Sequence, residues 1–503
     1  MDKKWFSSER QKALAFLVFV FWLFLFYQKA DVLPKLEHRP TGEHEWAQID
    51  RASMALTYYM DSASFWLPRC HLATNNPEGI TAGEFPLIPY TVSKMYSSWG
   101  FNELYHRVFV LFLGIVGFVV SFFLALKFIR NPLWAAFVAT IWLASPNIIY
   151  YSFTFLPDVP ALAFLIVSLF FLLHRKAAPR ARDLLGFSIF FTLAALIKTS
   201  AILPIGAVLF AYIICYGKSI IESRTKALTL VVAATIPIIL TALWVLYARN
   251  LVGTYRIFIF LLEPLPPTSW ADFVSGMTAF SNFLNYYYLD GFRIFLILST
   301  ILGLVFVKRS NTFLLLSATF IYLGFFALFL LMFQKSPTHM YYWVPFQIAI
   351  FFHLAWLTDL FLTFKIPKWA TVAVFALAMV FVNYNAIHVG KNVKIRWKAS
   401  KEENYRYYDI EPYLESVGVS YTDRVCSYSD HTFNNTLYLM NRKGWTVFVD
   451  DPQNVKERAL SSCNYAVLND TSILSDPRFK PYFYNRIGEQ NGLTVYRLNA
   501  GIE

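Results

Sequence analysis

The sequence predicts a polytopic α-helical membrane protein with about 11 transmembrane helices and a C-terminal extracytoplasmic α/β domain. Composition is the first observation behind this fold class. Of the 503 residues, 57% are hydrophobic and 15% are charged, whereas a typical soluble domain has roughly 25% charged residues. Long apolar runs recur through residues 1–388, and only the tail, residues 389–503, mixes polar and apolar residues as a soluble domain does.

The apolar runs indicate membrane helices, because the bilayer core offers no water to an unpaired backbone group. The first run is long and lacks a small-residue cleavage site after it, which predicts a retained anchor instead of a cleaved signal peptide. The fifth and sixth runs are short and closely joined. The predicted spans lie near residues 12–28, 107–127, 132–150, 159–174, 184–197, 201–216, 227–248, 291–307, 312–333, 343–363 and 370–388.

Basic residues predict the orientation of these spans. Seventeen Lys and Arg residues lie in the short loops on one side, and only Lys198 and Lys335 lie in those on the other. Because short cytoplasmic loops are the basic ones, the N-terminus is predicted to be cytoplasmic, and an odd number of spans places the C-terminus outside the inner (plasma) membrane. Topology and contact with membrane lipids therefore account for the net charge of +12, and no nucleic-acid partner is expected.

Two modules are predicted from this layout. Residues 1–388 are predicted to form the transmembrane module, with large outer loops at 29–105 and 249–290, and residues 389–503 the extracytoplasmic α/β domain. In the tail, apolar β-prone stretches alternate with helical ones, which favours a largely parallel sheet. The predicted strands are 425–428, 445–449, 465–468 and an edge strand at 493–496, and the predicted helices are 435–440 and 455–461.

The cysteines leave two alternatives open. Cys426 and Cys463 both lie in the predicted outer domain. They could pair as a disulfide in an oxidising compartment, or remain as buried thiols, since both occupy positions expected for buried residues. The spacing excludes a CxxC motif or a Cys/His zinc site.

The first outer loop carries the densest group of reactive side chains. Glu43, His44, Glu45 and Asp50 lie within eight residues, just after the first span. A carboxylate at the membrane boundary is a candidate general base toward a hydroxyl or amine acceptor. Acidic residues in the first turn of a helix also favour its dipole, but this alternative explains three carboxylates and an imidazole less well than it explains one.

Single charged residues in the other outer loops are candidates too. Glu84 is either a solvated loop residue or a metal or substrate ligand, and Arg107 either snorkels to the interface or binds a lipid phosphate through its guanidinium fork. Asp158 either caps the fourth span or belongs to the site. Lys198 stands at an outer boundary against the charge rule, which indicates an anionic ligand.

An aromatic stretch precedes the tenth span. His339 is followed by Met340, Tyr341, Tyr342 and Trp343. The tyrosines and the tryptophan fit an ordinary interfacial belt. His339 is the less routine member and remains a candidate ligand.

Together, these stretches resemble the C-type (GT-C) membrane glycosyltransferases. This superfamily includes the protein O-mannosyltransferases and the lipid A aminoarabinose transferase, and the resemblance is to its bacterial members, which are similar to glycosyltransferase family 39. The resemblance covers residues 1 to about 390 in layout and is weaker in the tail. The order and topological side of the motifs carry it more than any single motif does. The matching stretches are 44–50, 83–90, Arg107 with Gly114, 157–160 and 339–342.

The resemblance implies that the protein moves one sugar, a hexose or a pentose, from a polyprenyl-phosphate carrier to an acceptor at the outer face. The acceptor could be a protein, a lipid such as lipid A, or another glycan. In the family an acidic residue of the first outer loop serves as the base. The Asp–Glu pair common in relatives reads His44–Glu45 here, preceded by Glu43, so Glu45 is the first candidate for the base and Glu43 the second.

The remaining roles are implied in the same way. Arg107 matches an arginine that contacts the carrier phosphate, and Asp158 matches a second acidic position. Glu84 matches a glutamate that helps to bind a divalent metal in some members, with His339 as a less secure ligand. Lys198, Tyr341, Tyr342 and His44 are expected to contact the substrate, and Asp50 is expected to orient the acceptor or support the loop.

One alternative from a different class is a transporter or flippase of lipid-linked sugars without transferase chemistry. Transporters usually place ionisable groups or broken helices at mid-membrane. The spans here are almost free of charge and the acids concentrate in the outer loops, which favours an enzyme. A polymerase or ligase of surface glycans would share the donor and differ in its acceptor.

Overall fold

The computed structural model describes residues 9–74, 76–175, 179–257, 264–284, 290–364, 367–399 and 402–499. Helices dominate these residues, and one five-stranded sheet lies near the C-terminus. In chain order the elements are α1 (Glu9–Lys29), α2 (Glu45–Met60), α3 (Leu87–Trp99), α4 (Leu104–Ala125), α5 (Pro132–Ile141), α6 (Pro146–Tyr151), α7 (Asp158–Leu172), α8 (Ala181–Ile197), α9 (Ile202–Ile221), α10 (Arg224–Tyr255), α11 (Trp270–Leu284), α12 (Asp290–Val305), α13 (Thr312–Leu331), α14 (Ile348–Thr363), α15 (Lys368–Trp397), α16 (Glu411–Ser416), β1 (Arg424–Tyr428), α17 (Asn435–Met440), β2 (Lys443–Val447), α18 (Gln453–Ser461), β3 (Tyr465–Leu468), β4 (Phe483–Gln490) and β5 (Leu493–Leu498).

Helices occupy every position predicted for a span. Of the described helices, seven are long and apolar enough to cross a membrane, and three shorter apolar ones accompany them. The chain is therefore a multi-pass membrane protein, as predicted, while the count of eleven spans is not confirmed. The seven are Glu9–Lys29, Leu104–Ala125, Thr199–Ile221, Arg224–Tyr255, Thr312–Leu331, Met340–Thr363 and Trp369–Trp397.

The third predicted span, residues 132–150, is interrupted. Helix α5 ends at Ile141, and Pro146 begins the short helix α6. Proline has no N–H to donate to a preceding turn, so it suits the first position of a new helix and disfavours a continuous one. The predicted outer loop 249–290 is described in part: α10 continues to Tyr255 and α11 follows, while residues 258–263 and 285–289 lie outside the described residues.

Small residues set the close packing of α4 on α7. A Cβ atom added at Gly117 would come within 2.5 Å of the Cα atom of Ala163, and one added at Gly114 would come within 3.0 Å of a Val159 methyl group. Helices in a bilayer lack a hydrophobic driving force between them, so small residues that let backbones approach are a main source of packing. Gly114, part of the family resemblance, therefore has a structural role.

By contacts the chain divides into two compact units, named here for their content. The helical unit comprises Met1–Glu37, Arg107–Val245 and Leu262–Arg396. The sheet unit comprises His38–His106, Leu246–Leu261 and Trp397–Glu503. The sheet unit thus joins most of the first outer loop to the C-terminal tail. The predicted domain boundary between residues 388 and 389 stays a prediction.

The sheet has the strand order β2-β1-β3-β5-β4. Strands β2, β1 and β3 are parallel, while β5 and β4 are antiparallel to their neighbours. Its core packs Trp445, Tyr428 and Leu468 with residues of α18. The first outer loop extends this sheet beyond β2, because Ala73 N–H donates to the Gly444 carbonyl at 2.8 Å and Gly444 N–H to the His71 carbonyl at 3.0 Å.

The C-terminal α/β domain is confirmed as a fold class, with corrections in detail. The helix 435–440 and the strand 465–468 have the predicted bounds, whereas β2 begins two residues before the predicted strand. The strand at 493–496 is not at the edge, since β5 lies between β3 and β4. Strand β4 was not predicted, because residues 483–490 carry few apolar side chains and an exposed edge needs none.

Cys426 and Cys463 are free thiols, and both are buried. Each packs in the core of the sheet. Burial raises the pKa of Cys463 to about 12, so this thiol stays protonated and unreactive. Of the two alternatives, the structure therefore favours buried thiols over the disulfide.

Candidate active site

The chain turns sharply into helix α2 at the predicted catalytic stretch. Gly42 and His44 have left-handed backbones, with φ of 87° and 57°, and the helix starts at Glu45. The side chain of Glu45 is buried, and its Oε1 accepts a hydrogen bond of 3.0 Å from Nδ2 of Asn404. This hydrogen bond from Asn404 helps to fix the orientation of the Glu45 carboxylate. Glu43 and His44 are half-buried beside it.

One turn further along α2, Asp50 and Arg51 meet Glu84. The Arg51 guanidinium donates to Glu84 Oε2 from Nη2 at 2.7 Å and from Nε at 3.2 Å, and its Nη1 lies 3.9 Å from Asp50 Oδ2. Burial raises the pKa of Asp50 to about 7, although the charge of Arg51 opposes this. Asp50 therefore changes charge near neutral pH, in the range where acid–base groups are most effective.

The other end of α2 is tied to the C-terminal tail by charge. Asp61 Oδ2 lies 2.6 Å from Lys443 Nζ and 3.5 Å from Arg69 Nη1, and Tyr421 donates its hydroxyl to Oδ1 at 2.8 Å. Burial alone would raise the pKa of Asp61, but the hydrogen bonds from Lys443 and Tyr421 lower it overall. This ion-pair cluster holds the first outer loop and the tail together within the sheet unit.

In the helical unit, Arg107 lies at the first turn of α4 and is fully buried. Its Nη1 donates to the carbonyl of Phe153 at 2.9 Å, and its guanidinium carbon lies 4.5 Å from the centre of the Phe155 ring. The snorkelling alternative is thus wrong, because a snorkelling arginine exposes its head to water. The Arg107 guanidinium thus contacts a backbone carbonyl and an aromatic ring in the interior of the helical unit.

A second buried cation, Lys198, lies in the same unit. Lys198 Nζ is 3.0 Å from Asp158 Oδ1, and it lies 5.1 Å and 4.8 Å from the ring centres of Tyr341 and Tyr342. Asp158 is completely buried in the first turn of α7, where Pro157 holds the N-cap position, and its carboxylate pairs with Lys198. The start of α7 and the end of α8 therefore meet the stretch before α14.

His339 borders this group. Its ring stacks on Tyr342 with 5.0 Å between centres, and its Nδ1 is 2.8 Å from the Thr338 hydroxyl. The stretch from Met340 to Gln347 is a 3₁₀ helix that leads into α14. Tyr341 and Tyr342 therefore border Lys198, and both are buried.

The predicted metal ligands lie in different units, Glu84 in the sheet unit and His339 in the helical unit. No group of three or more His, Cys, Asp and Glu side chains that could hold a metal ion occurs among the described residues. The carboxylate of Glu84 is engaged by Arg51, and a metal would have to displace that guanidinium. The roles of Glu84 and His339 as metal ligands stay predictions, and the proposed reaction uses no metal.

The structure thus gathers the predicted site residues into two groups, one in each unit. Glu43, His44, Glu45, Asp50 and Glu84 lie in the sheet unit. Convergence of all these residues on one cavity stays a prediction. The second group lies in the helical unit and consists of Arg107, Asp158, Lys198, His339, Tyr341 and Tyr342.

Two partners of the site were not foreseen. Arg51, which pairs with Glu84, follows Asp50 directly. Its position as a cation beside an acidic stretch could have indicated that it pairs with a carboxylate. Asn404, which donates to Glu45, lies 359 residues away in sequence. No local pattern marks that asparagine, because its role comes only from the way the tail folds back.

Comparison with protein-family models gives one match. Residues 83–244 match the family described as dolichyl-phosphate-mannose-protein mannosyltransferase. This segment contains Glu84, Arg107, Asp158 and Lys198. A comparison with curated proteins finds no match.

Solved structures give the fold. The chain is similar to ArnT from Cupriavidus metallidurans in its apo state, with 15% identity, a TM-score of 0.63, and coverage of 96% of this chain and 98% of that one. It is also similar to the same protein bound to undecaprenyl phosphate, with 14% identity, a TM-score of 0.58, and coverage of 95% and 97%. A third similar structure, the arabinofuranosyltransferase AftD from Mycobacteria, has 14% identity and a TM-score of 0.49, covering 98% of this chain and 40% of that one.

Fold and family model together confirm the resemblance predicted from the motifs. The architecture is similar to that of ArnT along nearly the whole of both chains. The class is that of the integral-membrane glycosyltransferases, which the family-model match over residues 83–244 supports directly.

Proposed function

We propose that the protein transfers one sugar from a polyprenyl-phosphate-linked donor to an acceptor at the outer face of the membrane. The observation that carries this proposal is the pair of buried cations, Arg107 and Lys198, in the helical unit. A cation in a poorly solvated place attracts an anion more strongly than a cation in water does. A lipid phosphate is the anion that a membrane-boundary site meets, and the ArnT structure with bound undecaprenyl phosphate has the same fold.

The chemistry divides between the two groups of residues. A carboxylate of the first outer loop, with Glu45 as the leading candidate, takes the proton from the acceptor hydroxyl or amine. The acceptor atom then forms a bond to the anomeric carbon as the bond from that carbon to the phosphate oxygen breaks. The electron pair leaves with the polyprenyl phosphate, whose charge Arg107 and Lys198 stabilise.

The phosphate is already a good leaving group, so no proton needs to be donated to it. What the reaction requires is charge stabilisation on one side and a base on the other, held in line. Asp158 limits the cost of burying Lys198 at 3.0 Å and keeps the ammonium in place among the tyrosine rings. Asp50 and the Arg51–Glu84 pair support the acceptor side of the site.

Transfer is tested with the purified full chain in proteoliposomes. The donor is a polyprenyl-phosphate-linked sugar fraction extracted from host membranes, and the acceptor is the host's outer-leaflet lipid and protein fraction. We expect release of free polyprenyl phosphate that depends on the acceptor. Movement of the intact donor across the bilayer, with no release of polyprenyl phosphate, would support the flippase alternative instead.

The orientation is a separate proposal. We infer that the N-terminus is cytoplasmic and that the sheet unit lies on the outer side, on the basis of the charge asymmetry of the short loops. A reporter inserted at Gly418, an exposed turn residue with φ of 84°, should signal an extracytoplasmic location. A cytoplasmic signal at this position would reverse the topology and remove the proposed site from the outer face.

A further inference from the structure

Beside the cation group, the helical unit contains buried polar side chains whose atoms find no hydrogen-bond partner among the described residues. Asn147 is completely buried, and both its Oδ1 and its Nδ2 are unbonded. Gln347 is 6% exposed, and both its Oε1 and its Nε2 are unbonded. An unsatisfied buried polar group costs about 1–3 kcal/mol, so a chain that folds stably keeps such groups where a ligand or water completes them.

Local geometry places these two amides on facing surfaces. In α6, Asn147 and Tyr151 are four residues apart and therefore lie on one side of the helix. In the 3₁₀ helix Met340–Gln347, three residues make a turn, so Tyr341, Val344 and Gln347 line one side. The rings of Tyr151 and Tyr341 are 6.2 Å apart. The two helices thus meet at these tyrosines, and each carries its amide on the same side as its tyrosine.

Two further groups add to this polar surface at the α6 end. Ser145, just before α6, is buried, and its hydroxyl is unbonded. Asn385 donates from Nδ2 to the Ala144 carbonyl at 3.1 Å, which leaves its Oδ1 unbonded beside the same segment. These polar side chains are connected to the cations that are proposed to bind the lipid phosphate, because Tyr341 also contacts Lys198.

The chemistry of this amide cluster, Ser145, Asn147, Gln347 and Asn385, selects its ligand. Each terminal amide offers donors and an acceptor without charge. A phosphate would be better met by Arg107 and Lys198, while sugar hydroxyls both give and accept hydrogen bonds. We propose that the amide cluster binds hydroxyl groups of the sugar on the lipid-linked donor, next to the cations that hold its phosphate. This inference rests on the proposed function and adds to it the part of the chain that recognises the sugar.

The test separates recognition of the sugar from recognition of the phosphate. Asn147→Leu and Gln347→Met keep nearly the same side-chain volume and remove the hydrogen bonds. Ser317→Ala is the matched control, since Ser317 is also buried with an unbonded hydroxyl but lies on α13, outside the cluster. Binding is measured by competition with labelled undecaprenyl phosphate. The three competitors are unlabelled undecaprenyl phosphate, the host lipid-linked sugar fraction, and that fraction after mild acid has removed its sugars.

We expect the parent and Ser317→Ala to bind the intact sugar fraction more tightly than the hydrolysed one. Each amide variant should reduce this preference by about tenfold, as the loss of one or two neutral hydrogen bonds predicts. Affinity for undecaprenyl phosphate itself should stay within about twofold, since the cations are untouched. The thermal midpoint of the variants should be equal or higher, because an unbonded polar group has been removed.

Several outcomes would overturn the inference. Variants that keep the full preference would show that the amides hold water only, and variants with a clearly lower thermal midpoint would show that the amides bond to the protein itself. A raised acceptor KM with an unchanged donor preference would assign the cluster to the acceptor. A parent that binds undecaprenyl phosphate without preferring the sugar fraction would refute the sugar site alone, whereas a parent that does not bind undecaprenyl phosphate would refute the proposed function.

Discussion

Carboxylates dominate the candidate site of the sheet unit, and cations held by aromatic rings dominate that of the helical unit. In the sheet unit, Glu45 is fixed by a neutral amide and Glu84 by a guanidinium. In the helical unit, Arg107 rests against Phe155, and Lys198 against Tyr341 and Tyr342. The two kinds of support suit two tasks, because a base needs an available lone pair and a phosphate needs positive charge in a poorly solvated place.

The sharpest way to test this division is to remove the charge of Glu45. In Glu45→Gln we expect turnover to fall by roughly 10²–10⁴-fold, the usual contribution of a general base, with donor affinity unchanged. Turnover and binding are measured separately, by release of polyprenyl phosphate and by competition with labelled undecaprenyl phosphate. Glu78→Gln is the matched control, since Glu78 is an exposed first-loop acid whose partner is Arg69.

Other outcomes of this experiment reassign the base. Near-normal turnover in Glu45→Gln beside an inactive Glu43→Gln would move the role to Glu43. Normal turnover in both, with loss in Asp50→Asn, would give the role to Asp50, whose pKa of about 7 would then appear as a rise in rate across neutral pH. Normal turnover in all three variants would contradict a first-loop base altogether.

The helical unit should show the opposite pattern when its cations are removed. Arg107→Ala and Lys198→Met should each weaken binding of undecaprenyl phosphate by roughly 10–100-fold, because a charge-assisted hydrogen bond contributes about 1.5–3 kcal/mol. Lys127→Ala provides the control at the other end of α4, where the ammonium lies 4.4 Å from the Phe170 ring. Binding by Arg107→Ala as tight as that of the parent would remove this residue from the phosphate site.

The two regions also differ in how far the sequence could predict them. Membrane helices follow from apolar length, and residues as distant as Arg107 and Lys198 could be assigned to one side by counting spans. The contacts of these two cations could not be predicted, because the aromatic ring that each one contacts belongs to a different segment of the chain. Phe155, which contacts Arg107, follows α6, and Tyr341, which contacts Lys198, precedes α14. A break at Pro146 also escaped, since hydropathy averages over it.

In the sheet unit, the sequence predicts which residues form the candidate site, but it does not predict how the first outer loop and the tail pack together. The acids of residues 43–50 are plain in the sequence, but their fixing by Asn404 depends on the folding of the tail. The strand 493–496 is correctly located as an element and wrongly placed at an edge. Period-two apolar patterns locate buried strands, and they carry no signal for a polar edge strand such as β4.

The Asp61 cluster should set the stability of the sheet unit. In Asp61→Asn, the partly buried Lys443 loses its carboxylate partner, and we expect the local free energy of unfolding to fall by about 2–3 kcal/mol, as the loss of hydrogen bonds between charged groups predicts. Hydrogen exchange of the sheet amides measures it. The pKa of Asp61 is lowered in the folded state, so this contribution is present above the unfolded carboxylate pKa and is lost as the pH falls through the lower, folded value.

The exposed pair of Asp476 with Arg478 is the matched control for that experiment. This pair is more exposed than the Asp61 cluster, with Arg478 57% and Asp476 25% exposed. Asp476→Asn should therefore leave exchange of the sheet amides almost unchanged, since solvent screens such a pair. Equal losses in the two variants would show that the Asp61 cluster has no special role in holding the first loop to the tail.

The smallest expected effect concerns His71, which joins the first outer loop to the tail without charge. Its Nδ1 lies 2.7 Å from the Ser53 hydroxyl and its Nε2 lies 3.1 Å from Asn441 Oδ1. Burial lowers the pKa of His71 to about 4. Between pH 6.5, the ordinary histidine value, and pH 4, the unfolded state binds more protons than the folded one, so stability falls as the pH falls through that window. We expect the free energy of unfolding of the sheet unit to fall by about 2 kcal/mol between pH 7 and pH 5, measured by hydrogen exchange.

The variant His71→Gln has no titratable ring, so its stability should no longer depend on pH in this window, whatever its absolute stability. An unchanged pH dependence in that variant would assign the acid sensitivity to another group.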